Sequence, residues 1–216
     1  MKFYAVLAFF FFFCSAIVSA ENYSFPAESV ESTIITANAG RINITTSYKA
    51  KTISVSFKQG VPPSTKRNIR INNRKQLEIY LDGDDFDENS TVDIVLPKEH
   101  RLQISSLTAD IKISNLSGSI SLDASAGTVN IKNFNGNLGI SSVSAQIDAE
   151  GEFKMIDLES VSAFIWFSLK KLPPDHDYTV SGAGNIRFIL GKGVNEDNLN
   201  IKKNEFYGNL EITDGR

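Results

Sequence analysis

The strongest constraint in this sequence is a pattern that recurs at a fixed interval in its second half. Residues 142–149 are SVSAQIDA and residues 160–167 are SVSAFIWF, so the pattern Ser-Val-Ser-Ala-x-Ile returns after 160 − 142 = 18 residues. The same interval relates Asn115 to Asn133. A recurrence of this size is typical of proteins that stack one small unit on the next, because each unit buries its apolar face only against a neighbour.

Two apolar columns appear when the chain is laid out at this interval. One contains Leu102 and Ile104, Ile120 and Leu122, Leu138 and Ile140, Ile156 and Leu158; the other contains Ile111 and Ile113, Val129 and Ile131, Ile147 and Ala149, Ile165 and Phe167. Apolar and polar residues alternate in both, which is the period of a strand with one buried face. We therefore predict an all-β fold, a parallel β-solenoid with two strands and two turns per coil. In this register Ile113, Ile131, Ile147 and Ile165 face one core, while Lys112, Asn130 and Asp148 face outward.

A second motif marks one corner of each predicted coil. Gly40, Gly127 and Gly184 come directly before an inward-facing strand pair, and other coils carry alanine at this position, as at Ala109 and Ala145. Because the position accepts alanine, we predict a tight corner that does not require a positive φ angle.

The regularity of the pattern divides the chain into parts. Residues 98–190 form the regular coils, residues 21–97 form irregular coils that carry hairpins, and residues 191–216 form a C-terminal cap. A separate N-terminal β-sandwich is the alternative for the irregular part. Ile186 follows Ile165 by 21 residues rather than 18, so three extra residues are expected in the proline-containing loop 170–177, since proline cannot occupy an inner strand.

These residues resemble a known family. The strand at residues 92–97, VDIVLP, is followed by repeated Ser/Ala-x-Ala/Gly-x-Ile-x-Ile units, which is similar to the bacterial adhesin family of β-strand-repeat proteins, a domain of unknown function. The resemblance covers about residues 31–190. It implies a single-chain right-handed β-helix on the bacterial cell envelope, and it implies no agreed functional residue. Here the usual Ser-Gly-Asp corner of that family is replaced by Ala109-Asp110 or Gly127-Thr128.

The first twenty residues predict export. Lys2 precedes an apolar run of at most sixteen residues, too short to span a membrane, and the run ends at Val18-Ser19-Ala20. We predict a signal peptide over residues 1–20, a mature domain over residues 21–216 and no further membrane-spanning segment. Cys14, the only cysteine, would leave with the signal. A net charge of −3 disfavours nucleic acid as a partner.

Residues suited to catalysis or metal binding are few. His100 and His176 lie in charged turns, where solvated surface histidines are expected. Asp123 and Glu159 fall in one outward column two coils apart, about 9.6 Å at the strand spacing of a sheet, near the outer limit for an inverting glycosidase. The acidic run 82–88 is expected to form a turn between strands, with weak calcium binding as the alternative. We predict no cofactor, no metal site and no catalytic residue, with a carbohydrate-active enzyme (polysaccharide lyase or hydrolase) as the alternative.

One departure from the polar outer face is informative. Phe164 and Trp166 occupy outward positions at which the other coils carry polar residues. Either the tail, residues 198–212, folds back over them, which is the favoured expectation, or they form a contact patch for a partner. The sequence therefore predicts a non-catalytic protein of the cell envelope, a surface-binding or scaffold protein, whose ligand is an unidentified glycan or protein.

Overall fold

The computed structural model describes residues 21–59, 69–81 and 87–215. The predicted signal peptide, residues 60–68 and residues 82–86 of the acidic run lie outside the described residues. Among the described residues, no helix is long and apolar enough to cross a membrane.

Fifteen strands and two short 3₁₀ turns, Ala27–Ser29 and Glu196–Asn198, make up the described chain. The strands are β1 (Glu21–Pro26), β2 (Ser32–Ala37), β3 (Arg41–Ser47), β4 (Thr52–Gln59), β5 (Ile69–Ile71), β6 (Gln76–Leu81), β7 (Thr91–Pro97), β8 (Glu99–Ser106), β9 (Asp110–Ser114), β10 (Ser117–Ala124), β11 (Thr128–Ser142), β12 (Gln146–Lys171), β13 (Asp177–Leu190), β14 (Ile201–Phe206) and β15 (Asn209–Asp214).

All fifteen strands belong to one curled sheet of mixed direction. The all-β prediction is confirmed, whereas the right-handed parallel β-solenoid is wrong. Strand β4 runs antiparallel to both β1 and β7, and β5 runs antiparallel to β6. The reason for the error is that alternation shows which face of a strand is buried, and parallel and antiparallel ladders share that period of two.

The N-terminal strands also depart from chain order. Strand β2 pairs with β6 on one side and with β8 on the other, and β3 likewise lies between β7 and β9. The unit formed by β2 and β3 is therefore inserted between two units that follow it in the sequence. The described strands of this region belong to the same sheet as the rest, and they do not form the alternative β-sandwich.

The parallel ladders of the second half have the register that the sequence pattern indicates. Ile120 pairs with Leu102 and with Leu138, so the partners on both sides are 18 residues away. Between β12 and β13 the register changes, and Ile165 pairs with Ile186, 21 residues further along. The extra residues lie between Lys171, where β12 ends, and Asp177, where β13 begins.

A continuous apolar core lies inside the curl of the sheet. Ile113, Ile131, Ile147 and Ile165 are each at most 1% exposed, as the alternation predicts. Toward the C-terminal end, phenylalanines take over the same role. Phe153 and Phe167 have ring centroids 5.8 Å apart, and Phe167 stacks on Phe188 at 4.9 Å. Closely packed rings of this kind make the sheet a rigid support for the side chains on its outer face.

The corners of the sheet adopt two backbone solutions. Gly40, Gly127 and Gly184 have φ angles of 85°, 88° and 139°, so the prediction that no positive φ is needed is wrong at the glycine corners, whereas Ala109 and Ala145 at the same position have no positive φ. A Cβ atom at Gly127 would lie 2.6 Å from the carbonyl oxygen of Ala109, which adds a steric reason for glycine.

The alanine corners use a buried serine instead. The backbone N–H of Ala109 donates to Ser106 Oγ at 3.0 Å, and the corresponding pair of Ala145 and Ser142 is 3.3 Å apart. Three residues before Gly40 and Gly127 the serine is replaced by Ala37 and Ala124. At the alanine corners the serine hydroxyl satisfies a buried backbone N–H, whereas Gly184, three residues after Ser181, shows that a serine at this position does not exclude a glycine corner.

Candidate functional site

Phe164 and Trp166 form an exposed aromatic pair on the outer face of β12. Their ring centroids are 6.4 Å apart and their planes differ by 22°, which is a stacked arrangement. Phe164 is 51% exposed and Trp166 is half-buried. The alternation of β12 explains this placement, because Ile165 and Phe167 between and beside them are completely buried in the core.

The pair lines one side of a groove of about 270 Å³. We call this the aromatic groove, and its outward side chains are Phe164, Trp166, Asn185, Arg187, Asn209 and Glu211. They come from three neighbouring strands in register: Trp166 pairs with Arg187, and Arg187 pairs with Glu211. The groove therefore combines an apolar face with amide and charged hydrogen-bonding groups.

An ion pair forms the polar side of the aromatic groove. Arg187 Nε donates to Glu211 Oε2 at 2.9 Å, and Arg187 Nη2 lies 2.7 Å from the same oxygen. Both side chains are more than 40% exposed, so the pair adds little to stability. Its effect is geometric, since it holds the guanidinium beside the rings with part of its hydrogen-bonding capacity turned to solvent.

The C-terminal tail does not cover the aromatic pair, contrary to the favoured expectation from the sequence. Strands β14 and β15 each pair with β13, as the next layer of the sheet. Phe206, Leu210 and Ile212 pack against the core rather than over the outer face. The tail thus supplies Asn209 and Glu211 to the groove and leaves Phe164 open to solvent.

The two histidines have structural partners. His100 was expected to be a solvated surface residue, and that expectation is wrong: it is 6% exposed, and its Nε2 lies 2.9 Å from the hydroxyl of Thr33. His176 Nε2 accepts from the backbone N–H of Asn200 at 3.3 Å, so its Nδ1 donates to the carbonyl of Pro173 at 2.8 Å. Both rings hold neighbouring segments of the chain together.

His100 makes the stability of the protein depend on pH. Burial lowers the pKa of His100 to about 4, whereas the unfolded chain has the ordinary value near 6.5. The unfolded state therefore takes up the proton first as the pH falls, and about 3 kcal/mol of stability should be lost between pH 6.5 and 4. Urea unfolding at pH 4.5 and 7.5 should show a larger difference for the wild type than for His100→Gln. An equal difference in the two proteins would contradict this expectation.

Carboxylates cluster in a separate shallow groove of about 270 Å³ on another part of the outer face. Asp123 and Glu159 are in register with Ser141 between them, so they lie two strands apart as the sequence indicates. Asp157 joins them, and all three side chains are exposed.

Of the acidic run, Asp87 is described: hydrogen bonds from Ser90 and Asn89 lower the pKa of its carboxyl and close a turn. Among the described residues no group of three or more His, Cys, Asp or Glu is placed to hold a metal.

Comparison with known proteins gives matches to solved structures alone, since no protein-family model and no curated protein matches the chain. A "putative cell adhesion protein" from Clostridium sporogenes is 14% identical, with 91% of this chain and 99% of that chain covered and a TM-score of 0.41. A "putative adhesin" from Bacteroides fragilis is 15% identical, with 91% and 97% covered and a TM-score of 0.42. A "putative lipid binding protein" from Parabacteroides distasonis is 13% identical, with 93% and 98% covered and a TM-score of 0.42. Similarity at this level supports no statement about ligand or activity, so the function is argued from the site.

Proposed function

We propose that this chain is an exported, non-catalytic binding protein of the bacterial cell envelope that holds a glycan in the aromatic groove. The observation that carries the proposal is the stacked, outward-facing pair of Phe164 and Trp166 beside hydrogen-bonding side chains from two further strands. Export rests on the signal-like residues 1–20, and the envelope location follows from it as part of the same proposal.

The chemistry of the aromatic groove suits a sugar. A sugar ring has an apolar face of C–H groups and a rim of hydroxyls, so it is complementary to an aromatic ring bordered by polar groups. Asn185 and Asn209 offer amide donors and acceptors, and Arg187 offers further donors. A protein partner of ordinary affinity needs a buried interface of about 800 Å² on each side. A groove of about 270 Å³ by itself fits a small rigid ligand better.

The rigidity of the support also favours binding. Each ring of the pair is attached to a strand whose alternate residues are completely buried, and Trp166 pairs in register with Arg187 of β13. Side chains held in this way lose little conformational freedom when a ligand binds. Even a small apolar contact area in the groove can therefore contribute to ligand affinity.

The proposal is tested with the double variant Phe164→Ser, Trp166→Ser on a glycan array and by titration of any glycan the wild type retains. We expect at least a tenfold loss of affinity, because two stacking contacts are removed at about 1 kcal/mol or more each. Tyr207→Ser is the matched control, since Tyr207 is 85% exposed and lies outside the groove. Unchanged glycan binding by the double variant, with the control also unchanged, would contradict the proposal. Binding to protein spots alone would replace the glycan by a protein partner.

A further inference from the structure

A second groove, of about 520 Å³, lies at the ends of strands β3, β7 and β9. We call it the asparagine groove, and its lining includes Thr46, Tyr48, Lys98, Asn115, Ser117 and Asn133. Hydrogen bonds to the main chain join these segments: the backbone N–H of Ser117 donates to the carbonyl of Lys98 at 2.8 Å, and the side-chain hydroxyl of Thr46 donates to the carbonyl of Asn115 at 2.6 Å. Residues distant in the sequence are thereby held at one place.

The hydrogen bonds along this groove run in one direction. Lys170 Nζ donates to Asn133 Oδ1 at 2.5 Å, and Asn133 Nδ2 donates to Asn115 Oδ1 at 3.1 Å. An ammonium group can only donate, so it determines the orientation of the Asn133 amide, which in turn determines that of Asn115. The chain of bonds ends on the Nδ2 group of Asn115, for which no acceptor is found among the described residues. Polarisation along such a chain strengthens the terminal donor.

A cation, Lys98, lines the same groove as this terminal donor. Lys98 Nζ is 3.7 Å from the centroid of the Tyr48 ring, and Tyr48 is 83% exposed. Within the described part of the chain, no carboxylate forms an ion pair with Lys98. The groove presents this ammonium group, an amide donor and the Tyr48 ring face that Lys98 leaves uncovered, which together match an anionic oxygen group attached to a ring. Its one lining carboxylate, Glu152, is paired with Lys171 at 3.3 Å.

Strand β12 connects the two grooves. Lys170, which also lines the asparagine groove, follows Trp166 by four residues, about 13 Å along an extended strand. Asn115 lies beyond Lys170, since Asn133 stands between them in the chain of hydrogen bonds, so a ligand that contacts both grooves must be an oligosaccharide of several sugar units. A peptide is a poorer fit, because extended peptides bind by adding to an open sheet edge, and β9 and β12 are each paired on both sides.

We propose that the asparagine groove binds the carboxylate of an acidic sugar, with Lys98 and Asn115 as the donors and Tyr48 as the stacking face. The proposal rests on the proposed function, since it makes this groove a second subsite for a glycan that also contacts the aromatic groove. It assigns the ligand to the acidic glycans, which the aromatic groove alone does not.

The test uses a hexasaccharide of uronic acids and the same hexasaccharide with its carboxyls methyl-esterified. We expect the wild type to bind the free acid about tenfold more tightly than the ester, as for one hydrogen bond to a charged group. Lys98→Met and Asn115→Asp should each reduce the affinity for the free acid about tenfold and thereby remove this preference. Aspartate tolerates the positive φ of 62° at position 115 and still accepts from Asn133. Lys203→Met is the control, with the same change in charge on strand β14, and should keep the preference.

The outcomes separate this proposal from the proposed function. Equal affinity of the wild type for acid and ester, no binding of either, or a preference that persists in both Lys98→Met and Asn115→Asp would overturn the acidic subsite. A preference that persists while the Phe164→Ser, Trp166→Ser variant binds as tightly as the wild type would support the acidic subsite and contradict the aromatic groove as the glycan site. Tighter binding of a pentaglutamate peptide, lost in Lys98→Met, would overturn the assignment to a sugar.

Discussion

Ile131→Asp is expected to leave the protein unfolded at room temperature. Ile131 is 1% exposed, and its strand β11 is paired on both sides, so an aspartate there has neither water nor a partner for its charge. Burying an unpaired carboxylate, or protonating it to avoid the charge, costs several kcal/mol. This loss is comparable with the whole stability of an ordinary domain, about 5–15 kcal/mol.

Asn130→Asp is the matched control for this substitution. Asn130 precedes Ile131 in the same strand and faces outward, so the same negative charge remains in contact with solvent. We expect a change in stability within about 0.5 kcal/mol. Circular dichroism and thermal melting of the two variants give the result. A cooperative melt of Ile131→Asp at the wild-type temperature would contradict the buried column.

Gly136→Ala should cost about 3 kcal/mol or more. A Cβ atom at this position would lie 2.0 Å from the carbonyl oxygen of Gly118, which is backbone of the neighbouring strand and cannot rotate away. The φ angle of Gly136 is 143°, a conformation that residues with a side chain rarely adopt. Strain and collision therefore act together on the ladder between β10 and β11.

Gly139→Ala provides the control within the same strand. Its Cβ atom would meet a single atom, the carbonyl oxygen of Ile120 at 3.9 Å, and its φ angle is outside the left-handed region. We expect unchanged stability or a gain of up to about 1 kcal/mol, because alanine restricts the unfolded chain more than glycine does. Urea unfolding of both variants measures the difference. Equal stabilities for the two substitutions would show that a side chain at Gly136 does not destabilise the ladder between β10 and β11.

The candidate site could be predicted from the sequence only in part. The break in the outward polar column singles out Phe164 and Trp166, and both rings do face outward. The opposite wall of their groove could not be predicted, because Asn209 and Glu211 reach it through the pairing of β15 with β13. The sequence signal was the alternation of the tail, which indicates a strand but not its partner.

The asparagine groove was missed for a similar reason. The recurrence of asparagine at positions 115 and 133 was visible in the sequence, yet Tyr48 and Lys98 carry no signal that associates them with it. The insertion of β3 between β7 and β9 brings these residues together. These side chains come from strands that do not pair in chain order, so their proximity depends on the strand pairing and cannot be seen in the sequence.

The sequence by itself determined the all-β class, the buried face of each strand and the 18-residue register of the parallel ladders, because all three follow from local periodicity. Tertiary structure alone decided the direction and order of the N-terminal strands, the course of the tail and the positive φ angles at the glycine corners. The physical reason is that the apolar face of a strand is buried equally well beside a parallel or an antiparallel neighbour of the same length. The choice between neighbours depends on packing over the whole sheet, and that choice places β2 beside β8 and β15 beside β13.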